Sequence, residues 1–168
     1  HHLIEACRCG SNEDVLNLPK AEADSNSIDK DSKTALIEAC ERGNESLVTQ
    51  LIKKGAYLKY YDQEGRTALM IACKRGDKTI VSQLIEAGAD LNTKDYSGKT
   101  AQTIAGENGH EAVVKQLTEA IKVHELMEAC RKGRGTIDSQ LITRVDINTR
   151  NQALMVSCSY GHEAAVPQ

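Results

Sequence analysis

The sequence predicts an all-α solenoid of about six stacked helix-turn-helix units, joined by hairpin-like loops that shorten towards the end of the chain. Thr34, Thr67 and Thr100 are separated by a constant 33 residues, and the same interval separates Gly43 from Gly76. A fixed period of this size indicates a repeat architecture in which each unit packs only against its neighbours. The chain has no Phe and no Trp. Aliphatic side chains and cysteine must therefore fill the core, which suits thin layers of helices.

Each unit is predicted to contain two short helices. A threonine such as Thr34 precedes the first helix, where its hydroxyl can accept a hydrogen bond from an early amide. The glycine of a C-x-x-G motif, such as Gly43, ends that helix in the left-handed conformation. The second helix carries apolar residues at helical spacing, for example Leu47, Val48 and Leu51. It stops at a Gly-Ala pair, and an extended loop then leads into the next unit.

We expect one domain over residues 1–168, within a longer protein. The predicted units are 1–28, 29–61, 62–94, 95–121, 122–149 and an incomplete 150–168. Gly109, Gly133 and Gly161 follow one another at less than the full period, which predicts shortened loops there. The stretch LTEAIKVHELMEACRKG is expected to join two helices without a hairpin.

The motifs TAL…AC..G and GADLN in residues 66–98 resemble the ankyrin repeat, and the resemblance extends over almost the whole chain. It implies a module that binds partners on a concave surface made by the loops and the exposed end of each first helix. Alanine replaces the family's proline in each clear copy, which a helix start tolerates. The family's histidine is replaced by Ile37, Met70 and Thr103, so its inter-loop hydrogen bond is not expected.

Catalytic and cofactor motifs are missing from the sequence. It contains no Gly-rich phosphate loop, nucleophile elbow or H-E-x-x-H motif. His110 and His162 lie in G-H-E, where the resemblance implies packing of the second helix. We therefore predict no enzyme activity, catalytic residue, cofactor, metal or small-molecule substrate. No apolar run reaches the roughly 20 residues that span a bilayer, and we expect an intracellular, cytoplasmic protein whose oligomeric state the sequence does not indicate.

Five cysteines share the C-x-x-G spacing: Cys7, Cys40, Cys73, Cys130 and Cys158. This pattern could indicate a metal site, disulfides, reactive thiols or packing. Stacked helices lie about 8–10 Å apart, whereas a disulfide needs Cα atoms within about 7 Å and zinc needs four ligands around one point. One thiol per layer meets neither requirement. The sequence therefore predicts packing residues in a reducing compartment.

The face implied by the resemblance carries more basic than acidic residues, although the whole chain has a net charge of −3. Such an excess attracts acidic partners. Cations at helix C-termini are also favourable without any function, so part of the excess has a simpler explanation. Tyrosine and arginine are frequent anchors of interfaces. The residues predicted to bind the partner are Lys33, Arg42, Tyr61, Arg66, Lys74, Arg75, Lys94, Tyr96 and Lys99.

The predicted function is a protein–protein interaction module or scaffold that binds an acidic segment of a partner protein. Three alternatives stay open. One is a surface for nucleic acid or anionic lipid, which the acidic chain and the lack of an interleaved aromatic-basic motif disfavour. Another is a regulatory or targeting appendage of an enzyme encoded elsewhere in the full-length chain. The last is a structural spacer without a dedicated partner.

Overall fold

The computed structural model describes Ile4, Cys7, Asn26, residues 28–30 and residues 32–131. This part of the chain is all-helical, as predicted, and has three isolated antiparallel β-bridges but no strand. The units predicted at 1–28, 122–149 and 150–168 lie wholly or mainly outside it. The helices of the described residues are α1 (Ala35–Arg42), α2 (Glu45–Lys53), α3 (Ala68–Arg75), α4 (Lys78–Glu86), α5 (Ala101–Glu107) and α6 (Glu111–Arg131).

The ends of the first helices are built as the sequence predicts. Thr34, Thr67 and Thr100 each accept a hydrogen bond on the hydroxyl from the amide three residues on, at 3.3, 3.4 and 3.3 Å respectively. Gly43 and Gly76 take φ angles of 71° and 81°, and their amides bond to carbonyls in the last turns of α1 and α3. These caps satisfy backbone groups that a short helix otherwise leaves without partners.

The core lies between successive layers of helices. Helix α3 packs against both α1 and α5, while α2 packs against α1 and α4. Aliphatic residues such as Leu36, Leu69, Val48 and Val81 are almost completely buried. Helix α3 has a first helix on each side, α1 and α5, so its exposed end lies between those of the two neighbouring units.

The described cysteines are packing residues, in agreement with the prediction. Cys7, Cys40 and Cys73 are buried and form no disulfide. Burial raises the pKa of the Cys73 thiol to about 12 and raises that of Cys40 further above its ordinary value. A protonated, enclosed thiol is a poor nucleophile and a poor metal ligand. The side chains of Cys9, Cys130 and Cys158 lie outside the description.

Helix α6 runs without interruption from Glu111 to Arg131. No hairpin therefore separates Leu117 from Arg131, and the junction expected between units 95–121 and 122–149 lies inside a helix. The chain divides into two compact units, 1–115 and 116–168, and the single domain of six repeats stays a prediction. None of the described helices is both long and apolar enough to cross a membrane.

Candidate protein-binding face

Three loops project ahead of α1, α3 and α5, at residues 28–30 with 32–34, 61–67 and 94–100. We call them fingers 1, 2 and 3, and each is closed at its base by a β-bridge. Asp29, Asp62 and Asp95 recur at the start of the fingers. Each donates its amide to the carbonyl of the residue four positions on, at 2.9–3.1 Å, and accepts that residue's amide on Oδ1 at 2.8–2.9 Å. Each finger is thus held in shape by an aspartate of its own.

Fingers 2 and 3 are joined through an aromatic contact. The Tyr96 amide donates to the Glu64 carbonyl at 3.1 Å, and the Tyr96 ring lies over Gly65. A Cβ atom at Gly65 would come within 2.7 Å of that ring, and the φ angle there is 77°, so glycine is required for two reasons. The Tyr61 ring meets the Tyr96 ring edge-on, with centroids 6.0 Å apart. Two of the predicted residues are therefore in contact, although 51% and 70% of their respective surfaces are exposed.

Five of the seven predicted cations are held in ion pairs, which a count of charges along the sequence did not reveal. Four of their carboxylate partners, those of Glu38, Glu41, Asp77 and Glu107, lie in or just beyond the first helices. Each pair neutralises one positive charge of the face. The paired cations are Lys33, Arg42, Arg66, Arg75 and Lys99.

Arg66 is the most enclosed of these cations, with its side chain 16% exposed. Its Nε and Nη2 atoms donate to Asp62 Oδ2 at 2.9 and 2.7 Å, and Nη1 lies 2.8 Å from a Glu64 oxygen. Burial opposes ionisation of Asp62. The hydrogen bonds from Arg66 and from two backbone amides outweigh that cost and hold the Asp62 pKa below its usual value. Arg66 therefore shapes finger 2.

Arg75 links two consecutive units. Its Nε donates to Asp77 Oδ2 at 2.6 Å and its Nη1 donates to the carbonyl of Glu41 at 2.9 Å. The guanidinium also lies against Gly43, whose missing side chain leaves room for it. Because Glu41 and Gly43 lie at the end of α1, Arg75 satisfies part of that helix terminus.

Lys74 and Lys94 differ from the other predicted cations. Both are exposed, and neither makes an ion pair with another described residue. The Lys74 backbone is nevertheless fixed, since its carbonyl accepts a hydrogen bond from His110 Nε2 at 3.0 Å. The ammonium groups of these two lysines are therefore accessible to an incoming anion.

An apolar groove of about 870 Å³ borders finger 2, and sequence reasoning missed it. Tyr57 and Tyr60 lie 6.0 Å apart, ring to ring, along its wall. A comparison along the repeat register could have indicated the groove. The next unit carries the polar residues Asp90 and Thr93 at the positions equivalent to Tyr57 and Tyr60, so the two tyrosines are specific to this unit. The principal apolar residues of the lining are Ile28, Tyr57, Leu58, Tyr60 and Tyr61.

The family model described as ankyrin repeats (3 copies) matches residues 3–95 and, in a second placement, residues 58–125. The chain belongs to the ankyrin-repeat family. Ankyrin repeats are generally non-catalytic modules for protein–protein interaction. No curated protein matches this chain. Across residues 32–131 and the few described before them, no three His, Cys, Asp or Glu side chains are grouped to hold a metal ion.

All nine predicted residues of this ankyrin-repeat protein lie within residues 1–115. Tyr61 and Tyr96 are brought into contact, and Arg75 reaches back to the preceding unit. Apart from this ring contact, none of the nine makes a hydrogen bond, ion pair or ring contact with another of the nine in the described part of the chain. The nine therefore divide into residues that build the face and residues that remain available on it.

Proposed function

We propose that this ankyrin-repeat protein binds an extended, acidic segment of a partner protein on the face formed by fingers 2 and 3 and the exposed end of α3. The exposed pair of Tyr61 and Tyr96 carries the proposal. A tyrosine ring buries a large apolar area while its hydroxyl remains able to hydrogen-bond, and for this reason tyrosine is common among the residues that dominate binding.

The accessible cations support an acidic partner. Lys74 and Lys94 keep exposed ammonium groups, whereas the other predicted cations are already matched by carboxylates. A few free charges beside an apolar patch favour an oriented encounter with a segment of opposite charge. We assign direct contact to Tyr61, Lys74, Lys94 and Tyr96. Support of the face is assigned to Lys33, Arg42, Arg66, Arg75 and Lys99.

The test is a selection from a random-peptide display library with the full 168-residue chain as target. Enriched peptides are then titrated against purified variants by fluorescence polarisation. Tyr61→Ala with Tyr96→Ala should weaken binding about 30-fold or more, since truncating one dominant interface residue costs about 2 kcal/mol and every 1.4 kcal/mol is tenfold in affinity. The control is Lys53→Ala with Lys54→Ala, which alters exposed residues at the end of α2.

Far-UV circular dichroism establishes that each variant keeps its helices. Equal affinity of the tyrosine variant and the control would contradict the proposal, and so would a selection that enriches no binding peptide. Arg66→Glu and Arg75→Glu are unsuitable for this test. Each would break contacts that hold finger 2 or the end of α1.

A surface for nucleic acid or lipid needs several free cations that follow a line of phosphates. The pairing of five predicted cations disfavours that alternative. The module could also serve as a regulatory or targeting appendage of an enzyme, which the full-length gene sequence would reveal. We propose that the protein acts inside the cell as a scaffold that holds its partner protein.

A further inference from the structure

An ion pair recurs at equivalent positions of two units. Lys33, at the end of finger 1, places Nζ 2.7 Å from Oε2 of Glu41 in the last turn of α1. Lys99, at the end of finger 3, places Nζ 2.6 Å from Oε2 of Glu107 in the last residue of α5. Each pair joins the residue before the capping threonine to the residue eight positions later. This slot, which we call the finger–helix slot, therefore holds one cation and one carboxylate in both units.

The unit between them has no carboxylate for this slot. The 33-residue register places Arg66 and Lys74 at the equivalent positions, and both are cations. Arg66 turns to Asp62 and Glu64 of its own finger. Lys74 remains exposed and makes no ion pair with another described residue. The central finger–helix slot thus keeps a cation where its two neighbours have a glutamate.

We infer that the partner supplies the missing carboxylate. An aspartate or glutamate side chain of the extended segment pairs with the ammonium of Lys74, which stands at the register position of Glu41 and Glu107. This inference rests on the proposed function and names the chemistry that the partner must bring to one position. A charge-assisted hydrogen bond of this kind is stronger than a neutral one, and it gains further strength when the bound segment excludes water.

Two observations favour a protein carboxylate over a phosphate polyanion. The cations that would extend a phosphate track, Lys33, Arg66 and Lys99, are already occupied by carboxylates. Those carboxylates also repel a dense negative charge. A single free ammonium suits one carboxylate. Tyr61 and Tyr96, on the fingers at the two ends of this unit, offer the apolar contact that a peptide uses.

The experiment is a double-mutant cycle on the full chain, with an acidic peptide enriched in the display selection as the probe. Each Asp or Glu of the peptide is replaced in turn by Asn or Gln, and each peptide is titrated against the native chain and against Lys74→Met. Lys74→Met should weaken the native peptide about tenfold. For one of the replaced acidic residues, the altered peptide should bind Lys74→Met and the native chain with similar affinity, because removing either partner removes the same interaction. The coupling between that residue and Lys74 should be about fivefold or more in affinity.

Lys74→Glu is the second variant. It should abolish detectable binding of the same peptide, and it should leave the thermal midpoint unchanged or raised, because the new carboxylate recreates with Arg66 the pair seen in the adjacent units. Lys78→Met, which changes another exposed lysine at the start of α4, should bind as the native chain does.

The outcomes separate this inference from the proposed function. Peptides that need Tyr61 and Tyr96 but bind Lys74→Met and Lys74→Glu normally would overturn the inference and leave the proposed face intact. Binding that is lost in Lys74→Met for every peptide, with no coupling to any acidic position, would also overturn it. Peptides whose affinity does not change in the variant with Tyr61→Ala and Tyr96→Ala would overturn both the inference and the proposed function. A selection that yields no binding peptide would also overturn both. Preference for a phosphorylated version of the peptide over its aspartate or glutamate form would replace the carboxylate with a phosphate and contradict the inference.

Discussion

Asp62 should contribute more to the stability of the stack than the equivalent aspartate of the next finger. Its side chain is 2% exposed, and it accepts four hydrogen bonds. Two come from the amides of Glu64 and Arg66, at 2.9 Å each. The other two come from the Arg66 guanidinium at 2.9 and 2.7 Å. Asp95 accepts the two equivalent amides, at 2.9 and 2.8 Å, but has no arginine and is less buried.

The magnitude follows from this difference. Hydrogen bonds to a charged group contribute about 1.5–3 kcal/mol where a buried partner is left unsatisfied. Removal of one member of a well-buried ion pair costs about 3–5 kcal/mol, a range that has to be reduced here because part of the guanidinium is exposed and Glu64 stays beside it. We expect Asp62→Ala to lower the free energy of unfolding by about 3 kcal/mol. Asp95→Ala loses one exposed and one partly buried hydrogen bond to the backbone and should cost about 1 kcal/mol, like the loss of a helix cap.

Urea denaturation followed by far-UV circular dichroism at pH 7 measures both losses, provided that the slope with denaturant is the same for all proteins. Because repeat proteins can lose cooperativity, hydrogen exchange at the amides of residues 61–67 gives a local measure. Equal losses for Asp62→Ala and Asp95→Ala would refute the argument that the arginine pair makes the difference. A loss below about 1 kcal/mol for Asp62→Ala would refute the assigned burial and bonding.

Asp62→Asn isolates the contribution of charge and gives it a pH dependence. The folded pKa of Asp62 lies below the value of about 3.9 typical of an unfolded chain. The stabilisation is therefore complete above pH 5 and is lost as the pH falls through the folded pKa. The native chain should be more stable than Asp62→Asn at pH 7, and the difference should shrink steadily below pH 4. A difference that stays constant down to pH 2 would show that the charge is not its source.

Two further predictions concern the backbone and the core. Ser32 adopts a φ angle of 57° at the finger position where Gly65 and Gly98 adopt 77° and 79°. Because this left-handed conformation is unfavourable for a residue with a Cβ atom, Ser32→Gly should raise the free energy of unfolding by about 0.5–1 kcal/mol in a denaturation curve. A decrease would show that the serine side chain is needed there. Cys40 and Cys73 are completely buried, and burial raises the pKa of both thiols. Alkylation at pH 8, mapped by mass spectrometry, should be on the order of 100-fold slower at these two positions in native buffer than in denaturant, whereas equal rates would place them at the surface.

The sequence predicted the parts of the fold that depend on local chemistry. The interval between Thr34, Thr67 and Thr100 located the helix starts, since a threonine cap needs no information beyond a few neighbouring residues. Gly43 and Gly76 located the helix ends for the same reason. The continuous α6 was foreseeable from the shortened spacing after Gly109, although the exact course of the helix was not.

The candidate site was predicted less completely, because its charges interact over distances that a residue count does not show. Lys33 and Glu41 are eight positions apart, and their contact depends on side chains that lie along a whole helix. Arg75 meets the carbonyl of a residue 34 positions earlier. The repeated aspartates did provide a signal, because Asp62 stands at the same register as Asp29 and Asp95. The spacing alone does not give the ion pair, since Arg66 pairs with Asp62 whereas Lys33 and Lys99 pair with Glu41 and Glu107.

The charge of a repeat surface is therefore best counted in pairs along the register. A count of single residues made the whole face basic. Once Lys33, Arg42, Arg66, Arg75 and Lys99 are matched with their carboxylates, the accessible positive charge among the seven predicted cations reduces to Lys74 and Lys94. The consequence is a difference in the kind of recognition expected. A uniformly basic face attracts many acidic molecules. Separate ammonium groups on the same face as a tyrosine pair instead select a segment whose carboxylates stand at particular positions. The reason is that charges held in fixed places discriminate between partners more than they strengthen binding.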